Sequence, residues 1–170
     1  MLFIADTQAQ VFKAGTATFA MAIGKHGAIV ERRKREGDGK TPLGRYRFEF
    51  CYYRADRLAR PDTHLHLTLL TPAHGWCDAP GDPRYNAPVR LPYRASHEDL
   101  MRMDSLYDVV VVLSHNRQRP VPGYGSAIFL HVAEAAPHGL KPTLGCLALA
   151  RNDLLHVVTL LRPQSWLIVR

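Results

Sequence analysis

The sequence predicts a single, mainly β domain with few helices. Three features carry this: apolar and polar residues alternate along much of the first half, Gly-, Pro- and Asp-rich breaks recur between short apolar runs, and one segment alone has clear helical spacing. At 170 residues, 46% of them apolar, the chain has the size and composition for one domain with a substantial core. No repeat, low-complexity stretch or linker divides residues 1–170.

Residues 9–31 alternate and are rich in Val, Phe, Thr, Ala and Ile, broken by Lys13-Ala14-Gly15 and Gly24-Lys25-His26-Gly27, which suits short antiparallel strands joined by turns. Arg45-Tyr46-Arg47-Phe48-Glu49-Phe50 alternates strictly, with one wet and one packed face. Leu65–Leu70 and Tyr107–Leu113 read as further strands, and the second is so continuously apolar that it belongs at the centre of a sheet. Between them, Gly75–Asn86 reads as a long irregular loop in which Trp76, Arg84 and Tyr85 are able to grip a sugar face or a peptide carboxylate. The competing reading is that Trp76 pins the loop to the core. Ser96-His97-Glu98-Asp99 before Leu100–Met103 has the form of a serine-capped helix start. A firmer helix spans about 152–161, where Leu154, Leu155, Val157, Val158 and Leu161 repeat at helical spacing and Pro163 ends it. Trp166–Val169 closes the sheet.

The net charge of +7 favours anionic partners without choosing between cell-wall carboxylates and nucleic-acid phosphates. Arg32-Arg33-Lys34-Arg35 is read as a solvated hairpin tip, since no aromatics are interleaved as a nucleic-acid groove requires; no nucleic-acid partner is expected. No run of about eighteen apolar residues is present to span a membrane, and no signal peptide is visible at Met1–Thr7. Cys51, Cys77 and Cys146 show no metal spacing; either Cys51 and Cys77 pair and leave Cys146 free, or all three are reduced. His64 and His66 share a strand face and suggest a metal site with His131, but no carboxylate or thiolate at suitable spacing supports it.

Chemistry is expected at Cys146, which follows His131 by fifteen residues. Gly145 lets the chain turn tightly beside the thiol, and His131, in the apolar run Ala127–Val132, is a base within reach for it. The competing reading is a buried apolar cysteine and a core histidine. The amides of Gly145 and Leu144 join that of Cys146 as candidate oxyanion donors, and Tyr124 and Ser126 as candidates to line the groove. The second nitrogen of His131 needs an acceptor, for which a backbone carbonyl is preferred over Glu134.

Three blocks together resemble the YkuD-type L,D-transpeptidases of bacterial cell-wall synthesis, in a compact single-domain form: Asp38-Gly39-Lys40-Thr41-Pro42-Leu43-Gly44-Arg45-Tyr46, Gly125–His131, and Thr143-Leu144-Gly145-Cys146. The resemblance implies a β-sandwich or barrel and a periplasmic or cell-wall-facing location. It also implies Cys146 as nucleophile, and peptidoglycan stem peptides as donor and acceptor, joined diaminopimelate to diaminopimelate or L-alanine to diaminopimelate. No metal or cofactor is required. The chain departs from the family pattern at Leu144 and Ala148, where many members have His and an Arg or Asn; Arg151 is the candidate to replace the missing carboxylate contact. Alternatives are an L,D-carboxypeptidase or amidase on the same fold, and a non-catalytic module that binds cell wall or another polyanion. The oligomeric state is not readable.

Overall fold

A computed structural model describes residues 1–170. Strands β1 (Leu2–Asp6), β2 (Val11–Ala14) and β3 (Ala17–Ala22) form an antiparallel meander, with its second turn at Gly15, where φ is +61°. After β4 (Ala28–Val30) and a single 3-10 turn at Glu31–Arg33 comes β5 (Thr41–Tyr53), the longest strand. β6 (His66–Leu69) runs parallel to its second half. β7 (His74–Cys77), β8 (Ala87–Arg90) and β9 (His97–Asp99) make a separate three-stranded sheet with β7 in the middle. β10 (Val109–Leu113), β11 (Phe129–Val132), a small hairpin of β12 (Ala135–Ala136) and β13 (Gly139–Leu140), and β14 (Leu147–Leu149) lead into helix α1 (Arg151–Leu160) and β15 (Trp166–Val169).

The large sheet closes on itself. Its order is β10-β11-β14-β3-β2-β1-β15-β5, and β5 pairs with β15 through Gly44–Arg47 and with β10 through Phe48–Tyr53. One long strand thereby joins both edges, which removes the open edges a flat sheet would expose. The β-rich class and the closed, barrel-like sheet agree with the sequence reading.

Two apolar clusters occupy opposite faces of the wall. Val109, Val111 and Leu113 of β10, Leu130 and Val132 of β11, and Leu147 and Leu149 of β14 point into the main core with α1 residues Leu154, Val157 and Val158. Their neighbours Val110, Val112, Phe129 and Cys146 face outward into a second cluster with Trp76 and Leu100. The continuous apolar run of β10 is thus buried on both faces, as a central strand requires.

The structure corrects two expectations. Ser96–Met103 starts no helix: His97–Asp99 is strand, because its backbone pairs with Cys77–Gly75 of β7 and Leu100 is completely buried. The segment 75–86 is irregular only after Cys77, since His74–Cys77 is the central strand of the small sheet. Helix α1 starts one residue earlier than the periodicity suggests and has no side-chain cap. All three cysteines are free thiols, so Cys51 and Cys77 are not paired.

Candidate active site

β11 and β14 are parallel neighbours, with Leu130 opposite Leu147 and His131 opposite Ala148. Side chains alternate along a strand, so Phe129 and His131 share the outward face with Cys146 and Ala148. This two-residue period, on adjacent strands, turns a sequence separation of fifteen into one surface. Cys146, His131 and Ala148 line a cavity of about 330 Å³ roofed in part by the small sheet.

The loop that carries the thiol is fastened by the Lys40-Thr41 turn. The Thr41 hydroxyl donates to the Gly145 carbonyl at 2.9 Å and accepts from the Gly24 amide at 2.9 Å. Thr143 makes backbone hydrogen bonds with Ile23 and Lys25, and its hydroxyl donates to the Cys146 carbonyl at 2.7 Å. Gly145 has φ +143°, and a Cβ there would lie 3.0 Å from the Lys40 carbonyl oxygen and 3.7 Å from the Lys34 ammonium nitrogen. Only glycine fits this crossing.

In the resting site the Cys146 thiol donates to the Ala127 carbonyl at 3.2 Å, and its sulfur accepts the Phe129 amide at 3.4 Å. Ala127 holds φ +52°, a conformation rarely adopted by non-glycine residues. It is held there by Asn86, whose side-chain oxygen accepts the Ala127 amide at 3.1 Å and the Trp76 indole N–H at 3.0 Å. The Asn86 NH2 group donates to the carbonyls of His115 and Asn116.

His131 is almost fully buried, with Nδ1 2.8 Å from the Val132 carbonyl oxygen. That contact makes Nδ1 the protonated nitrogen and leaves Nε2 with its lone pair. The acceptor is a backbone carbonyl, as preferred over Glu134, which instead pairs with Lys141. Burial is the main cause that lowers the His131 pKa, to about 4, so the imidazole is neutral at pH 7. Burial, with the charge of Glu98 second, pushes the Cys146 thiol up to about 12. Neither group is charged at rest.

The expected binding residues fall in several places. Ser126 lines the cavity, and so does Leu144, which is 75% exposed at its rim. The Gly145 amide donates to the Thr143 hydroxyl at 3.1 Å, so this N–H is already engaged and is not an open oxyanion donor. Trp76 is wholly enclosed, edge-on to Phe129 at 5.0 Å, and pins the small sheet to the wall rather than meeting a ligand. Tyr85 is buried with its hydroxyl on Glu36, and Arg84 turns back to the Pro88 carbonyl. Tyr124 lies under the Arg35 guanidinium, outside the cavity. Arg151 pairs with Asp108 at 3.0 Å and caps the Arg57 carbonyl, also away from the cavity, so it does not replace the missing contact beside the thiol.

Several residues that matter here escape the sequence reading. Lys34 is not on a solvated tip: it is 2% exposed, its ammonium donates to Asp38 at 2.5 Å and to the Arg35 carbonyl, and it lines the cavity. Burial alone would raise the Asp38 pKa, but hydrogen bonds from Lys34, Arg35 and Lys40 bring it below its usual value. The Lys34/Asp38 spacing of four was the only available signal. Glu98, Tyr107 and Arg102 also line the cavity. His64 and His66 are exposed and His131 is buried, and no three His, Cys, Asp or Glu side chains gather closely enough to hold a metal ion. No helix is long and apolar enough to cross a membrane.

The family model for the L,D-transpeptidase catalytic domain, YkuD, matches residues 2–169. No curated protein and no solved structure matches the chain significantly.

Proposed function

Because the chain belongs to the YkuD family of L,D-transpeptidase catalytic domains, whose activity is on peptidoglycan, we propose that it cross-links stem peptides through a thioester formed on Cys146. The products under this reading join diaminopimelate to diaminopimelate, or L-alanine to diaminopimelate, in a periplasmic or cell-wall-facing compartment. The observation that carries the proposal is the placement of His131 on β11 and of Cys146 just before the adjacent β14, with both side chains lining one cavity.

The reaction requires that rotation about Cα–Cβ release the thiol from the Ala127 carbonyl and turn it toward the imidazole. With the thiol held near 12 and the imidazole near 4, a standing thiolate–imidazolium pair is disfavoured. The proton therefore passes to Nε2 as sulfur attacks the donor carbonyl, which is general-base catalysis. The carbon–nitrogen bond of the donor breaks, and His131 returns the proton to the departing amine. The Cys146 amide and the Lys34 ammonium are the donors for the oxyanion, since the Gly145 amide is committed to Thr143. An acceptor amine then attacks the thioester.

Intact-mass analysis after incubation with a carbapenem tests the nucleophile. The expected result is one adduct, absent in Cys146→Ala; an adduct that persists in Cys146→Ala, or none on the wild type, overturns the reading. Incubation with purified tetrapeptide muropeptides then separates cross-linking from hydrolysis by product mass.

A further inference from the structure

The cavity has an acidic end that neither Cys146 nor His131 accounts for. Glu98 lies directly opposite Trp76 across the β7–β9 ladder. Facing residues of a ladder point to the same side, so the carboxylate follows the indole inward. Its Oε2 accepts the Tyr107 hydroxyl at 2.7 Å, and the Tyr107 ring stands edge-on to His131 at 5.3 Å. Glu98, Tyr107, His131 and Cys146 thus share one wall space. Burial raises the Glu98 pKa; the Tyr107 hydrogen bond opposes this, the charges of Asp78 and Glu36 reinforce it and that of Arg102 opposes it.

Two further oxygens in this cavity have no hydrogen-bond partner. Asp78 Oδ1 and Ser126 Oγ are buried without a hydrogen-bond partner, and Ser126 is 7% exposed. The neighbouring Tyr85 hydroxyl donates to Glu36 instead. A buried polar atom left unpaired costs about 1–3 kcal/mol, so a site that keeps two of them beside a carboxylate is shaped for a ligand rich in donors. An ammonium group brings three N–H donors, no acceptor and a compensating charge. Beside Glu98 and Asp78 an ammonium is favoured over a carboxylate or a neutral amide, with the Arg102 guanidinium offsetting part of the negative charge.

We propose that Glu98, with Asp78 and Ser126, docks the ammonium group of the acceptor stem, and that the Glu98 carboxylate takes the proton whose loss frees this amine to attack the thioester. This rests on the acyl-enzyme reading above. The ammonium gives one proton to Glu98, and the nitrogen lone pair forms the new C–N bond. The second proton passes to His131 Nε2. The C–S bond then breaks with its electron pair on sulfur, and His131 reprotonates Cys146. Glu98 releases its proton to solvent.

The test uses full-length enzyme already loaded with a tetrapeptide donor, so that the speed of loading does not enter. Acceptor muropeptide is added, and mass spectrometry gives the ratio of cross-linked to hydrolysed product. Glu98→Gln is expected to lower this ratio about tenfold or more, while hydroxylamine, an amine neutral at pH 7, captures the thioester equally in both enzymes. An unchanged ratio with the muropeptide, or an equal loss with hydroxylamine, overturns the proposal. Asp78→Asn provides the same comparison with a smaller expected drop if Glu98→Gln does not fold. A wild-type enzyme that never loads the donor refutes the acyl-enzyme reading instead, which distinguishes the two failures.

Discussion

Replacing Asn86 by alanine removes four hydrogen bonds at once: those accepted from the Trp76 indole and the Ala127 amide, at 3.0 and 3.1 Å, and those donated to the His115 and Asn116 carbonyls, at 3.1 and 2.7 Å. Trp76 and Ala127 are 0% and 5% exposed, so their N–H groups cannot turn to bulk water. At about 1–3 kcal/mol for each stranded donor, with the carbonyls costing less because each keeps a second lone pair, the expected loss is about 4 kcal/mol. With a urea dependence of about 2 kcal/mol per molar for a domain of this size, the unfolding midpoint should fall by about 2 M. Ala127, released from φ +52°, should also swing its carbonyl away from the Cys146 thiol, so carbapenem loading should change in the fraction that remains folded. Equilibrium urea unfolding, followed by tryptophan fluorescence, measures the first effect. A shift below about 0.5 M, roughly 1 kcal/mol, would refute the view that Asn86 holds the small sheet and the thiol's acceptor together.

Gly145→Ala places a methyl 3.0 Å from the Lys40 carbonyl at φ +143°, so it should cost about 2–3 kcal/mol and slow carbapenem loading; a variant as stable as wild type would show that the crossing is loose. Because His131 titrates near 4 in the folded chain against about 6.5 unfolded, the unfolded state binds the extra proton between these values. Stability is therefore whole above pH 6.5 and should fall by about 3 kcal/mol as pH drops to 4, a loss that His131→Gln abolishes in pH-dependent urea titrations. Under the proposed mechanism, Lys34→Met removes a cation from the cavity beside Cys146 and should slow its loading by about tenfold or more, read by stopped-flow or timed mass spectrometry; equal rates would remove Lys34 from the proposed oxyanion donors.

How far the residues announce the site depends on the range of the interactions involved. The apolar run Ala127–Val132 marks His131 as a strand residue, and the structure then sets it beside Cys146 because β11 and β14 are parallel neighbours. Glycine before the cysteine was interpretable for the same reason, since φ +143° is a local demand. His97–Asp99 does not announce itself as strand because three residues are too few to display a period, and the hydrogen bonds that make them one come from Gly75–Cys77. Arg151 was placed beside the thiol by chain proximity alone, whereas the buried carboxylate of Asp108 draws its guanidinium elsewhere.

From its residues alone, this protein's β-rich class and its one long helix were determined, and Cys146 and His131 were singled out as the candidate pair, because each rests on backbone preferences and patterns local to its own segment. Only the tertiary structure decided that Lys34 turns inward, that Trp76 supports the wall from behind, and that Glu98, Asp78 and Ser126 form an acidic pocket end. The physical reason is that burial and charge pairing are set by whichever distant strand closes over a side chain, and a polar residue has the same local preferences whether it meets water or a cavity.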